Sequence, residues 1–198
     1  PERILEPRCP LFGRWPERGE QPGRCCGGCH WGHVDYGAQL RFKTDILRDA
    51  LVHLGRIAEP LVEPAVGMPD PWAYRNRIDV HSGPDGPGFV AADDRTILPI
   101  DACPIAHPAV VDLLAALEGA LPPGVTVSLR TGVGTGDRMI VFHGLEESID
   151  EVDEIEVELD ASVAIADGEG HAEVVAGRRF LFERLGGRLF AIPPASFF

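Results

Sequence analysis

Five cysteines constrain the fold of this chain more than any other feature of its sequence. Cys9 begins a Cys-Pro-Leu-Phe-Gly motif, Cys26 and Cys29 flank two glycines, and Cys103 precedes a proline far along the chain. A Cys-x-x-Cys loop lets two sulfurs reach one centre, and the glycines between them allow the backbone to curl tightly. Four thiolates arranged in this way could close around a metal centre, with Cys9 and Cys103 completing the ligand set.

The cysteine pattern alone leaves several kinds of site open. A Cys-x-x-Cys pair also suits a redox dithiol or one half of a zinc ribbon. A zinc ribbon normally has two such pairs, whereas Cys9 and Cys103 stand alone, a spacing better known from iron-sulfur proteins. In a reducing compartment, an odd number of cysteines favours metal binding over a disulfide framework, and Cys25 is then the leftover thiol.

Composition indicates a globular protein with a sizeable core, because 44% of the 198 residues are hydrophobic. The sequence has no apolar run long enough to span a membrane and no signal-peptide pattern at its start, so we expect a cytoplasmic protein. The net charge of -13 argues against indiscriminate binding to nucleic acid. However, half of the 18 Lys and Arg residues lie within the first 60 positions, so a basic surface is possible near the cysteines.

Hydrophobic periodicity predicts an α+β fold, with a largely antiparallel sheet, flanking helices and a metal-organised N-terminal Cys-rich loop. Helices are expected at 34–54 and 108–121, and an extended connector at 61–71. Strands are expected at 72–81, 89–92, 96–100, 125–130, 138–143, 162–166, 172–175, 179–183 and 188–192.

Two further segments invite a functional interpretation but have simpler structural ones. The glycine-rich stretch 131–137 lies between two strand patterns, so it is interpreted as a hairpin turn and not as a nucleotide loop. The acidic stretch 146–160 is interpreted as the solvated face of a helix that runs into a strand, with a carboxylate metal site as the alternative.

Several motifs in a fixed order resemble the iron-sulfur RNA uracil-C5 methyltransferases, which make 5-methyluridine in ribosomal and transfer RNA. The resemblance extends over nearly the whole chain. The matching segments are Cys9-Pro10-x-Phe12-Gly13, Cys26-Gly27-Gly28-Cys29, His33, Tyr36-x-x-Gln39-Leu40-x-x-Lys43, Tyr74-Arg75-Asn76-Arg77, Asp101-x-Cys103-Pro104 and the closing stretch 193–198.

This resemblance implies a [4Fe-4S] cluster held by Cys9, Cys26, Cys29 and Cys103. It also implies RNA binding in the region of Tyr74, Arg75 and Arg77, where alternation along a strand would place both arginines on one face. The RNA would be ribosomal or transfer RNA, and the protein is expected to be a monomer. The cluster would act structurally, by tying Cys103 to the N-terminal loop.

The sequence departs from the family pattern in three ways. An insertion at 14–24 lengthens the spacing between Cys9 and Cys26, and Cys25 adjoins the second motif. The chain also stops at Phe198, before the family's S-adenosyl-L-methionine-binding fold and catalytic residues. We therefore expect the central region of an enzyme that is inactive by itself, with no catalytic residue of its own.

Four regions are expected on this basis. Residues 1–33 form the iron-sulfur loop, and 34–60 hold a helix that packs on the missing catalytic domain. Residues 61–193 form the central RNA-binding domain, and 194–198 begin the methyltransferase domain. Two alternatives from other functional classes remain open. One is a stand-alone zinc- or iron-sulfur-stabilised module that binds RNA or protein. The other is a redox protein.

Aromatic and histidine side chains near the cysteines are expected to be structural. We expect packing against other side chains, and not stacking on bases, for Trp15, Trp31 and Trp72. We also expect ordinary polar roles, and not metal ligation, for His33 and His107.

Overall fold

The computed structural model describes residues 5–13, 25–117, 121–145, 160–167 and 169–196. Its elements in chain order are α1 (Tyr36–His53), β1 (Arg77–His81), β2 (Gly88–Val90), β3 (Ile97–Pro99), α2 (Pro108–Ala115), β4 (Thr126–Thr131), β5 (Arg138–His143), β6 (Ser162–Ala166), β7 (Ala172–Ala176), β8 (Leu181–Leu185) and β9 (Arg188–Ile192).

Seven strands form one sheet in the order β3-β2-β1-β4-β5-β6-β7, while β8 and β9 form a separate hairpin. All neighbouring strands in the large sheet are antiparallel except β5 and β6, which are parallel. The predicted mixed fold with a largely antiparallel sheet is therefore confirmed in the described part of the chain. The acidic stretch 146–159, predicted to be helical, lies outside the described residues.

One face of the central strands builds the main hydrophobic core against α2. Successive residues of a strand point to opposite faces, so the alternating apolar residues of β1, β4 and β5 share this face. These buried residues are Ile78, Val80, Val127, Leu129, Ile140 and Phe142, and they pack with Val110, Leu113 and Leu114 of α2. α2 begins with Pro108, and the Nδ1 atom of His107 accepts a hydrogen bond from the backbone N–H of Ala109.

The opposite face of the sheet is divided into an apolar and a polar half. Met139, Val141 and Ala164 form a second buried cluster with Leu181 of the β8–β9 hairpin. The other half, on β1 and β4, carries polar residues instead. The β8–β9 hairpin thus packs on the apolar half of this face, and the second buried cluster does not include the polar residues of β1 and β4.

The turn between β4 and β5 is attached to the β8–β9 hairpin by one carboxylate. Buried Glu183 accepts hydrogen bonds from the backbone N–H groups of Val133 and Gly134, both at 2.7 Å. A Cβ atom on Gly134 would lie 2.6 Å from the carbonyl oxygen of Arg184, so this close approach requires glycine. The predicted hairpin turn at 131–137 is confirmed, and the carboxylate of Glu183 occupies its N–H groups.

Helix α1 has little cover from the rest of the described chain. Its N-cap is Asp35, and of its 18 residues only Ala38 and Thr44 are buried. The connector that follows runs back along the helix, with Ala65 donating to Thr44 Oγ1 at 2.9 Å and Met68 donating to the Tyr36 hydroxyl at 2.9 Å. The apolar face nevertheless stays open, and Leu47 is 52% exposed. No helix in the described residues has the length and hydropathy needed to cross a membrane.

The segment before β1 differs from the sequence prediction. The strand begins at Arg77 and not at residue 72, because residues 73–75 pair with the loop after Cys103. The N–H groups of Ala73 and Arg75 donate to the carbonyls of Pro104 and Ile105, and Arg75 accepts from the N–H of His107. Arg75 therefore belongs to the cysteine region, whereas Arg77 belongs to the sheet.

Candidate metal centre and a polar face of the sheet

Four of the five cysteines line one pocket, and they are the four that the motifs singled out. Cys9, Cys26, Cys29 and Cys103 surround it. The other lining residues are mostly apolar and comprise Pro7, Arg8, Leu11, Phe12, Gly32, Trp72, Phe89, Ile100, Ala102, Pro104 and Ile105. All the cysteines are free thiols. Residues nearly a hundred positions apart in sequence thus bring sulfur to one pocket with a mostly apolar lining.

Backbone hydrogen bonds hold the Cys-x-x-Cys loop against both the N-terminal segment and the sheet. The N–H of Cys26 donates to the carbonyl of Leu11 at 2.8 Å, and the N–H of Gly27 donates to that of Val90 at 3.3 Å. The N–H of Gly28 donates to Cys26 Sγ at 3.4 Å. This last contact is the kind of backbone N–H to sulfur bond that favours the thiolate form of the ligand.

Cys25 is separated from the other four thiols. Its side chain is only 6% exposed and packs against Gly13, where a Cβ atom would collide with it. Its carbonyl accepts a hydrogen bond from the N–H of Ala92 at 2.9 Å. The residue is absent from the lining of the cysteine pocket. The structure therefore places Cys26, and not Cys25, with the other candidate ligands.

The surroundings of Cys26 and Cys29 favour the protonated form of these two thiols. Burial raises the pKa of Cys26, and the neighbouring Cys9 and Cys103 raise it further, although the Gly28 N–H opposes this. Burial also raises the pKa of Cys29, as does Cys103, whereas the positive charge of Arg75 lowers it. Binding of a metal cation must therefore displace protons, and positive charge is already close by to balance thiolates.

The spacing of the sulfurs bears on what they could hold. Four ligands of a single tetrahedral zinc lie about 3.8 Å apart, given a Zn–S bond of about 2.3 Å. No three of the four pocket cysteines, all of which lie in the described part of the chain, have Sγ atoms mutually within 4.8 Å. An all-sulfur donor set is one that both structural zinc sites and iron-sulfur clusters use.

The aromatic and histidine predictions are consistent with structural roles. Trp72 lies under the guanidinium of Arg8, 5.0 Å from its ring centre, and Trp31 makes an edge contact with Phe42 at 5.9 Å. His33 packs against Phe12, with ring centres 5.4 Å apart, while His107 caps α2. Neither histidine lines the pocket. Trp15 and the insertion 14–24 lie outside the described residues.

The predicted RNA-binding residues separate into two groups. Tyr74 and Arg75 are exposed and lie beside the cysteine pocket, since Arg75 is paired with the loop after Cys103. Arg77 instead lies on the polar face of the sheet, where its Nε and Nη2 atoms donate to the two carboxylate oxygens of Asp79 at 3.0 and 3.2 Å. The expectation that both arginines share one strand face is wrong, because the strand starts at Arg77.

A polar network that sequence reasoning missed surrounds Arg77. Ser128 Oγ donates to Asp79 at 2.6 Å and contacts His143 Nε2 at 2.9 Å. Because the Ser128 proton is used for Asp79, Nε2 of His143 must be the donor of the second bond. The signal was present in the sequence, since polar residues occupy alternate positions of both β1 and β4, at 77, 79 and 81 and at 126, 128 and 130.

Arg130 lies directly opposite Arg77 in the sheet and is the most deeply buried charge of this network. Its side chain is 2% exposed, and its Nε and Nη1 atoms have no hydrogen-bond partner in the described part of the chain. Burial lowers the pKa of Arg130 to about 10, and the charge of Arg77 contributes to this shift while Asp79 opposes it. The guanidinium remains charged at neutral pH.

Stability should fall on mild acidification because of His143. Burial lowers the pKa of His143, although Asp79 opposes this effect. A histidine whose pKa is lower in the folded state stabilises the fold above its unfolded value of about 6.5, and this contribution is lost as the pH falls. We expect His143→Gln, which keeps a donor toward Ser128, to lose less stability than the unmodified chain between about pH 7.5 and 5.5. Urea denaturation at both pH values measures this, and an identical loss in the two proteins would contradict it.

Another group of potential ligands is found on the surface turn between β6 and β7. Asp167, Glu169 and His171 have ligand atoms within 4.8 Å of one another, but all three are exposed. Asp167 already accepts hydrogen bonds from the N–H groups of Glu169 and His171. These bonds account for the arrangement as a local turn.

Curated relatives of this chain are named as RNA methyltransferases, although no family model matches the chain. The chain is 31% identical, over its whole length, to an uncharacterized RNA methyltransferase of Gloeobacter violaceus, of which it covers 48%. It is 29% identical over 82% of its length to one of Listeria innocua, of which it covers 38%. The chain thus spans about half the length, or less, of these curated relatives.

A solved structure shows the same fold. The chain superposes with a TM-score of 0.64 on the Pyrococcus abyssi tRNA (uracil-54, C5)-methyltransferase in complex with S-adenosyl-L-homocysteine. The match covers 96% of this chain and 48% of that protein, at 23% identity. The chain therefore has RNA methyltransferases as homologues, and its mixed fold is that of part of a tRNA uracil-C5 methyltransferase.

Proposed function

We propose that this chain is the iron-sulfur, RNA-binding region of an S-adenosyl-L-methionine-dependent methyltransferase that forms 5-methyluridine in ribosomal or transfer RNA. The observation that carries the proposal is the convergence of Cys9, Cys26, Cys29 and Cys103 on one apolar pocket from which Cys25 is excluded. RNA methyltransferase relatives and the fold of a tRNA uracil-C5 methyltransferase support the same assignment.

The four pocket cysteines would hold a [4Fe-4S] cluster, one thiolate to each iron. Its contribution would be structural, since it would link the loop after Cys103 to two N-terminal segments. The residues of the chain prepare this site. Gly28 donates its N–H to Cys26 Sγ, the lining is mostly apolar, and Arg75 places positive charge near Cys29.

Recognition of RNA would begin beside this pocket. Tyr74 is 48% exposed and can stack on a base, while the exposed guanidinium of Arg75 can contact a phosphate. The anchoring of Arg75 to Ile105 and His107 means that an intact cysteine region holds these two side chains in place. The cluster and the RNA surface would thus be parts of one structural unit.

Methyl transfer itself would be carried out by residues in the half of the relatives that this chain does not span. Attack on C6 of uracil requires an accessible thiolate, followed by a base that removes the proton from C5. Cys25 is buried against Gly13 and does not meet this requirement. The open apolar face of α1, which includes Ile46 and Leu47, would pack against that half.

Anaerobic purification tests the metal part of this proposal. We expect a coloured protein with about four iron and four acid-labile sulfide ions per chain. A colourless protein with one stoichiometric zinc would contradict the cluster and favour the zinc-stabilised binding module. Reversible redox cycling with a protein electron donor would contradict a purely structural role.

Substitution of Arg75 tests the RNA part. We expect Arg75→Gln to weaken the binding of a uridine-containing single-stranded RNA several-fold, and to reduce the salt dependence of log K by about 0.7, the value for one lost phosphate contact. Fluorescence anisotropy at several salt concentrations measures both quantities. Arg188→Gln, which removes an exposed arginine from β9, is the matched control and should change neither. Equal effects of the two substitutions would show that only net charge matters.

A further inference from the structure

The mouth of the cysteine pocket is marked by one large exposed side chain. Of the fifteen described residues that line the pocket, Arg8 and Ala102 are the exposed ones, and the others are partly or fully buried. Ala102 offers a single methyl group, whereas the long side chain of an arginine can cover apolar surface while its charged end stays in water. Arg8 is therefore the side chain best placed to cover this opening.

The guanidinium of Arg8 contacts an aromatic ring that lines the same pocket. Its Cζ atom lies 5.0 Å from the ring centre of Trp72, a distance at which a cation is attracted to the face of an indole. Trp72 is the largest of the lining side chains and is half-buried. The two side chains thus place a broad ring and a charged group beside one opening.

This contact joins two parts of the chain that provide cysteines to the pocket. Arg8 directly precedes Cys9. Trp72 directly precedes Ala73, whose N–H donates to a carbonyl in the loop after Cys103 at 3.0 Å. The contact between Arg8 and Trp72 therefore runs from the Cys9 segment to the Cys103 segment, in parallel with the link that a bound metal centre would make.

The backbone beside Trp72 is strained. Ala73 has a φ of 51°, in the left-handed region that costs free energy for alanine. A residue stays in this conformation only where its surroundings impose it, and such strain is typical of functional sites. The N–H of Trp72 also donates to Asp70 Oδ1 at 3.1 Å. The bonds of these two N–H groups fix the backbone that carries the ring to the pocket.

We propose that Arg8 and Trp72 form a lid over the cysteine pocket that slows the loss of the bound metal centre. The inference rests on the proposed function, because it concerns the same four-cysteine site, and it gives a role to two residues that are not ligands. Trp72 would restrict the access of water and chelating molecules, since the apolar shell around a metal site controls access to it. Arg8 would hold the ring in place and is thus a positioning residue.

Release of metal to an excess of EDTA under anaerobic conditions tests the lid. From protein purified with its metal bound, Trp72→Leu should release iron about tenfold faster than the unmodified chain, because it opens the shell around the site. Arg8→Gln should release iron about threefold faster, the effect expected for one lost cation–π contact. Both variants should begin with the iron content of the unmodified chain, since neither changes a ligand. Phe190→Leu and Arg188→Gln alter an exposed ring and an exposed arginine of β9, and these matched controls should release iron at the unmodified rate.

Two further variants separate positioning from a general effect on stability. Arg8→Lys keeps a cation that an indole can attract, so it should release iron at close to the unmodified rate. Addition of Arg8→Gln to Trp72→Leu should cause no further acceleration, because Arg8 acts through the ring. Additive acceleration would overturn the positioning role of Arg8. If Trp72→Leu fails to fold, Trp72→Phe, which keeps a smaller ring, and Arg8→Gln carry the test.

The outcomes distinguish the lid from the function on which it rests. Release at the unmodified rate from both Trp72→Leu and Arg8→Gln would overturn the lid and leave the cluster in place. Equal acceleration in the two control variants would also overturn the lid, because it would trace the effect to a general loss of stability. One stoichiometric zinc that Trp72→Leu releases faster would overturn the cluster and support the lid. A chain that binds no metal would overturn the proposed metal site and the lid together.

Discussion

Cys26→Ser is expected to remove most of the iron from the protein, whereas Cys25→Ser is expected to leave it in place. The two cysteines are adjacent in sequence, but only Cys26 lines the pocket with Cys9, Cys29 and Cys103. A serine oxygen is a poor substitute for thiolate on iron, so the loss of one pocket ligand should empty the site. At Cys25 the same change alters a buried side chain that packs against Gly13, and its expected effect is on stability alone.

Iron and sulfide analysis of the two variants after anaerobic purification measures this difference, and limited proteolysis provides an independent measure. Because the proposed cluster would tie the N-terminal segments to the loop after Cys103, Cys103→Ser should lose its iron and become sensitive to protease in the N-terminal region. Cys25→Ser should retain both iron and protease resistance. Retention of iron by Cys26→Ser, or its equal loss from both neighbouring variants, would refute the assignment of ligands.

The sequence was sufficient to predict those parts of the fold that depend on local pattern. α1 was expected at 34–54 and is found at Tyr36–His53, because its N-cap at Asp35 and its helical spacing are both local signals. β5 was expected at 138–143 and occupies Arg138–His143, since alternation of apolar residues identifies a strand without reference to its neighbours. The order of the motifs likewise predicted that Cys9, Cys26, Cys29 and Cys103 lie together, and all four line one pocket.

Features that depend on strand pairing could not be predicted in this way. The contact of Asp79 with Ser128 joins residues 49 positions apart, and it exists because β1 pairs with β4 in a register that places them opposite each other. A shift of one residue would have turned Ser128 toward the core. The start of β1 was also misplaced, because Arg75 bonds to the loop after Cys103 and this competing partner is not visible in local sequence.

The glycine-rich turn at 131–137 combines a feature that local pattern predicts with one that depends on distant residues. Its position between two strands predicted a hairpin, and the structure has one. The reason for two of its glycines lies far along the chain, because a Cβ atom on Gly132 or Gly134 would collide with the carbonyl oxygens of Phe182 and Arg184. Between these two residues, the carboxylate of Glu183 binds the N–H groups of Val133 and Gly134. A backbone turn that resembles an anion site in sequence is therefore an anion site in structure, and its anion is part of the same chain.

Glu183→Ala is accordingly expected to destabilise the fold by about 3 kcal/mol, which corresponds to a decrease in melting temperature of roughly 10 °C for a protein of this size. The substitution removes an acceptor shared by the backbone N–H groups of Val133, Gly134 and Arg184. Because Glu183 is only 5% exposed, water cannot easily replace it, and donors left without a partner in a buried position carry the full cost of desolvation.

Glu173→Ala is the matched control, since it removes an exposed glutamate from another strand, and its expected effect is below about 0.5 kcal/mol. Urea denaturation gives the loss of stability, and hydrogen exchange locates it. In Glu183→Ala the amides of Val133 and Gly134 should exchange faster, together with those of β8 and β9, because the carboxylate joins the turn to the hairpin that covers Met139 and Val141. Equal destabilisation by both substitutions, or slow exchange at Val133 and Gly134 in Glu183→Ala, would mean that apolar packing alone holds the hairpin on the sheet.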